Sequence, residues 1–158
     1  ATARGGLIRG LTAGEIVEQV QHLAADLESD PFPQHGDRGY NVVFMGMGEP
    51  LDNFEAVRDA LTIFTDRAGL GLSSRRIQIS TSAPPHGLRH LERLDLPVGL
   101  TISIGGADDL ARRKVMPVSG KAGVQDALAA AELFLALTAR HGAHHRVPLK
   151  QVEVRIRG

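Results

Sequence analysis

Three short segments place polar and glycine residues directly behind apolar runs, where a backbone can meet a ligand. The first is Gly46-Met47-Gly48-Glu49-Pro50, after Asn41-Val42-Val43-Phe44-Met45. Its glycines let main chain approach a ligand closely, and Glu49 adds an acceptor-only carboxylate suited to an ammonium group. A tight turn with a solvated glutamate is the alternative. The second is Ser80-Thr81-Ser82, whose hydroxyls suit a carboxylate or phosphate, or else cap the helix that follows. The third is Ser103-Ile104-Gly105-Gly106. Ser103 and Gly105 share one strand face at the two-residue period, so a hydroxyl beside bare backbone suits a sugar, or the glycines simply make a turn.

Other residue types point to less. The chain has no cysteine, which removes disulfides and thiolate-bound zinc from its own chemistry. The adjacent pair His144-His145 lacks helical metal-ligand spacing, and His22 falls on the solvent side of an expected helix. Lys plus Arg equals Asp plus Glu at 18 each, so no bulk basic excess marks a nucleic-acid binder. The clusters Arg75-Arg76 and Arg112-Arg113-Lys114 read as solvated surface. Aromatics are only 4%, leaving few stacking platforms for bases. No apolar run approaches membrane-spanning length and no leader-like start is present, which makes the cytosol the expected compartment. No phosphate-binding loop pattern is present either, which disfavours an unrelated nucleotide-binding domain.

The elements that must position these segments alternate. Thr12-Ala13-Gly14-Glu15 fits a capping box, followed by Ile16, Val20, Leu23 and Leu27 at helical spacing. Residues 29–39 read as a loop, and 41–45 as a strand covered on both faces. A helix is expected from about Asn53 with Phe54, Val57, Leu61 and Phe64 on one face, ended near Gly69 and Gly71. Strands follow at 76–81, 98–104 and 151–156. Helical stretches fall near 85–94, 108–114 and 124–138. This α-β alternation over 158 residues predicts one domain of parallel strands joined by helical crossovers, as a doubly wound sheet or an arc of a barrel. In either, ligands lie at the carboxyl ends of the strands, where the three segments fall.

Together the segments resemble one family, the radical S-adenosylmethionine (SAM) methyltransferases that modify carbon 2 of adenine in large-subunit ribosomal RNA and some transfer RNA. The resemblance is carried by Leu11-Thr12-Ala13-Gly14-Glu15-Ile16, the run from Asn41 to Leu51 with Asn53-Phe54, Gly69-Leu70-Gly71-Leu72-Ser73, Arg75-Arg76-Ile77, Ile79-Ser80-Thr81-Ser82, Ile102-Ser103 and Met116-Pro117. It holds from about residue 1 to residue 120 and more loosely beyond. It implies an α/β fold, a partial (β/α)6 radical SAM barrel, with residues 1–158 as a single incomplete domain. It further implies SAM contacts at Gly48 and Glu49, which meet the methionyl amino group, at Ser80, and at Ser103 with Gly105 beside it. Ribosomal RNA, with transfer RNA as a second substrate, would be the partners of the intact enzyme.

The departures bear on activity. The family's three cluster-binding cysteines would end just before Ala1, and its methyl-carrying cysteine and a SAM-contacting asparagine would follow Gly158. The 4Fe–4S cluster of the intact family therefore has no ligands here, and the metal and catalytic residue sets are empty. Gly105 stands where the family's Ser-Leu-His segment has histidine. The resemblance implies a fragment of the methyltransferase, inactive as it stands. The competing reading is a non-catalytic RNA- or protein-binding remnant of the same fold.

Overall fold

The computed structural model describes residues 8–28, 40–45, 47–94, 98–116 and 122–140. Helix α1 runs Ala13–Glu28, strand β1 Val42–Phe44, helix α2 Phe54–Thr65, strand β2 Ile77–Thr81, helix α3 Gly87–Glu92, strand β3 Gly99–Ile102, helix α4 Asp109–Val115 and helix α5 Val124–Arg140. The strands form a parallel sheet in the order β1-β2-β3. Val42 pairs with Ile77, Phe44 with Ile79, Gln78 with Gly99 and Thr81 with Ile102. The expected strand at 151–156, the loop at 29–39 and the pair His144-His145 lie outside the described residues.

Helices α1 and α4 start where a side chain supplies a missing backbone partner. At α1 the Thr12 hydroxyl accepts from the Glu15 amide at 3.3 Å, while the Glu15 carboxylate accepts from the Thr12 amide at 2.8 Å. This is the reciprocal pairing that the sequence predicts. Arg9 reinforces it with bonds of 2.5 and 2.8 Å to the same carboxylate. The buried stripe of α1 centres on Val17 with Ile16 and Val20 beside it. Leu23, expected on that stripe, is exposed, and so is His22. Helix α2 ends at Thr65, earlier than its glycines. Gly71 then takes the left-handed backbone (φ 62°) while Leu70 and Leu72 donate back to the last carbonyls of α2.

The core lies between one face of the sheet and the helices. Because register partners in a parallel pair share a face, Ile77, Ile79, Leu100 and Ile102 meet Phe54, Val57, Leu61 and Phe64 of α2, and Ala127 and Ala130 of α5, in one apolar cluster. The Phe44 and Phe64 rings sit 6.1 Å apart. The opposite face carries Val43, Gln78, Ser80 and Thr101. Val43 and the following Met45 are 44% and 57% exposed. Among the described residues, no helix is long and apolar enough to cross a membrane.

Candidate cofactor site

The three segments singled out by residue type converge at the carboxyl end of the sheet. Gly48 follows β1 with φ 118°, a conformation that side chains rarely adopt, and a β-carbon there would meet nothing within 4 Å. Main chain is therefore presented to open space. Ser80 lies in β2 opposite Thr101 of β3, half-buried on the open face. Ser103 extends β3, its amide donating to the Thr81 carbonyl at 2.9 Å. Among the described residues neither the Ser80 nor the Ser103 hydroxyl makes a hydrogen bond.

Glu49 behaves differently from the solvated or ligand-facing acid expected of it. Its carboxylate accepts from the Leu51 amide (3.1 Å), the Thr81 hydroxyl (2.5 Å), the Ser82 amide (2.8 Å) and the Ser82 hydroxyl (2.8 Å). A carboxylate offers about four lone-pair sites, so these donors fill it. The Thr81 and Ser82 hydroxyls thus bind a carboxylate, and it is the protein's own. They do not cap α3, which starts only at Gly87. Thr81 also accepts from the Ala83 amide at 2.9 Å, in a turn that holds Ala83 at φ 54°. For a residue with a β-carbon this is a strained conformation, of the kind that clusters at functional sites. His86 Nε2 meets Asp52 Oδ1 at 2.6 Å and ties the same two loops together further out.

Arg112 is the residue whose role the sequence reading missed. Its neighbours Arg113 and Lys114 are exposed, but Arg112 is fully buried. Nη2 donates to the Ser82 carbonyl (2.5 Å), Nη1 to those of Ser103 (2.6 Å) and Ile104 (2.5 Å), and Nε to that of Ala122 (3.0 Å). Burial draws its pKa below the ordinary arginine value, against the opposing pull of Asp109 and Asp126. Those two acids serve the start of α5. Asp109 accepts from the Val124 amide at 2.8 Å and Asp126 from the Gly123 amide at 2.7 Å. Sequence offers one signal for the helix, Asp108, whose side chain accepts from the Ala111 amide. It offers none for the burial of Arg112, because the acceptors are carbonyls that any residue could supply.

Gly105 takes φ 74°, and a β-carbon on it would lie 2.5 Å from Met116 Sδ. The side chain of Met116 fills the space that a histidine at this position would enter.

Comparison with known proteins places this geometry. The chain is 42% identical over 133 residues to the dual-specificity RNA methyltransferase RlmN of a Nitratiruptor species, covering 84% of this chain and 36% of the relative. It is 38% identical over 152 residues to the probable dual-specificity RNA methyltransferase RlmN of Symbiobacterium thermophilum, covering 96% of this chain and 39% of the relative. Over its matched residues the chain is a relative of the RlmN RNA methyltransferases. A radical SAM methyltransferase from Sphaerobacter thermophilus has the same fold, with a TM-score of 0.75 at 32% identity over 87% of this chain and 39% of that one. No family model matches the chain. This RlmN relative spans little more than a third of the length of the curated proteins it matches. Its sheet is accordingly a partial barrel, as the resemblance implied.

Proposed function

We propose that this chain is the central part of the barrel of a radical SAM RNA methyltransferase, and that its strand ends hold SAM. The observation that carries the reading is the convergence of Gly48, Ser80 and Ser103 on one sheet end, in a chain about 40% identical to proteins named as RNA methyltransferases. The bared main chain at Gly48 and the two free-standing hydroxyls fit the polar groups of an amino-acid-bearing nucleoside. The exit turn at Gly48 and Glu49 would meet the methionyl amine through its carbonyls, since the Glu49 side chain is already engaged. Ser80 and Ser103 would accept or donate on the open face, with Gly105 passing close beneath the ligand. SAM, when bound, supplies the methyl group and the radical precursor.

A 4Fe–4S cluster does not fit the residues present. The chain contains no cysteine, and among the described residues no group of His, Asp or Glu is placed to hold a metal ion. Nothing in the reaction is therefore assigned to a cluster bound by this chain. Carbon 2 of an adenine in ribosomal RNA, and in transfer RNA as a second substrate, is the proposed methylation target of the whole protein, acting in the cytosol.

The test is direct. The full-length protein, reconstituted anaerobically with iron and sulfide, is incubated with SAM, a reductant and unmodified ribosomal RNA or transfer RNA. The RNA is then digested and read by mass spectrometry. Appearance of 2-methyladenosine is expected. Methylation at another atom would refute the substrate assignment, and no SAM-dependent product at all would refute the enzyme reading.

A further inference from the structure

We propose that Arg112 is a positioning residue for the cofactor site, acting through a relay that runs from Glu49 through Ser82 to the exit of β3. The proposal rests on reading the strand ends as a SAM site. Its physical basis is independent of that reading.

Glu49 and Arg112 carry opposite charge and make no bond to each other. Ser82 stands between them. Its amide and hydroxyl donate to the Glu49 carboxylate, and its carbonyl accepts from Arg112 Nη2. From the same guanidinium Nη1 reaches Ser103 and Ile104, and Nε reaches Ala122. The exits of β1, β2 and β3 and the approach to α5 are thus joined in one series of charge-assisted bonds. Such bonds are shorter and stronger than neutral ones, and neighbours in a chain polarise one another.

Stability alone does not account for this choice of residue. A buried charge is costly to desolvate, and well-packed apolar groups commonly do as well or better in its place. The guanidinium does what an apolar group cannot: its planar fork fixes several carbonyls at set angles. Its four carbonyl acceptors lie at strand exits or at the loop before α5, where Ser103 and the Ser80-to-Ser82 segment present their polar groups. Lysine has a single ammonium and cannot span these acceptors.

The test compares Arg112→Lys with Val17→Ala, a core change in α1, which packs on α2, in the full-length protein. Two readouts are taken: SAM affinity by calorimetry, and hydrogen–deuterium exchange by mass spectrometry over residues 49–52, 81–83 and 103–105. Arg112→Lys is expected to weaken SAM binding by about tenfold or more and to accelerate exchange in all three segments. Val17→Ala is expected to lower the unfolding temperature and leave both readouts unchanged. If Arg112→Lys does not fold, Glu49→Gln breaks the relay at its other end and should accelerate exchange as far as residues 103–105. Exchange changes confined to 49–52 in that variant, or wild-type exchange and affinity in Arg112→Lys, would overturn the relay. Absence of SAM binding by the wild-type protein would instead refute the cofactor reading, while the exchange experiment still decides the relay.

Discussion

At the scale of single residues, the Glu49 carboxylate is held by four donors of its own chain, from Leu51, Thr81 and Ser82. Gly48, Glu49, Ser80, Ser103 and Gly105 could be picked out because glycine, carboxylate and hydroxyl groups directly follow apolar runs. That Glu49 would spend its charge on Thr81 and Ser82 could not be foreseen, since the partner lies 32 residues away along the chain. Replacing Glu49 by Gln has a definite expected cost. The amide keeps one acceptor oxygen and turns an NH2 toward donors, of which the Ser82 and Leu51 main-chain N–H groups cannot reverse their role. Each donor left unpaired costs about 1–3 kcal/mol, so chemical denaturation of Glu49→Gln should show a loss in that range or above. A midpoint unchanged from wild type would mean that the carboxylate is not held as described. Restoring the family's histidine gives a second expectation. Gly105→His places a β-carbon at φ 74° against Met116, costing on the order of 1–3 kcal/mol in backbone strain alone. Adding Met116→Ala should recover the steric part and not the backbone part. A single Gly105→His variant as stable as wild type would show that this loop re-forms freely.

At the scale of elements, local rules worked where the partners are near in sequence. The capping box of α1 is such a case, since hydroxyl and carboxylate are three residues apart. The α2 stripe is another, because Phe54, Val57, Leu61 and Phe64 are all buried. Strand limits were less legible: β3 stops at Ile102, earlier than the apolar run, because Arg112 takes the carbonyls of Ser103 and Ile104 out of the ladder. The α1 cap leads to a pH expectation. The Arg9 hydrogen bond, with the Thr12 amide next, lowers the Glu15 pKa from 4.5 to about 2. A carboxylate with a depressed folded pKa supports the fold fully above its unfolded value and loses that support as pH falls through the folded one. The α1 start should therefore hold at pH 5 and fray progressively between pH 4.5 and about 2. Carbon-13 NMR titration of the Glu15 carboxyl checks this, with Arg9→Ala expected to move its midpoint upward. A Glu15 midpoint at the ordinary carboxylate value would show that the Arg9 contact does not persist in solution. Thr12→Ala should cost about 0.5–2 kcal/mol by removing the other half of the cap.

At the scale of the whole molecule, β-α alternation was enough to predict parallel strands with the polar segments at one end. It left a doubly wound sheet and a barrel arc equally open. That choice depends on whether both sheet faces are covered by helices, which periodicity in runs such as Asn41 to Met45 does not report. The described structure is asymmetric in this respect at β1, whereas β3 is buried on both faces. One face packs Ile77, Ile79, Leu100 and Ile102 under the helices, while the other leaves Val43 and Met45 exposed beside Ser80. A doubly wound sheet would bury both faces, whereas a barrel turns one face inward toward its own strands and ligand. The asymmetry predicts unequal costs for changes on the two faces. Phe64→Ala removes a fully buried ring that touches Phe44 and should cost about 3–5 kcal/mol. Val43→Thr changes a side chain 44% exposed and should stay within about 0.5 kcal/mol in the chain of residues 1–158. In the full-length protein the same Val43→Thr change should become costly, because there the barrel interior would close over it. Urea denaturation of both variants in both chain lengths measures the difference. Equal Val43→Thr effects in the short and full-length chains would show that the open face stays open, with no barrel interior closing over Val43.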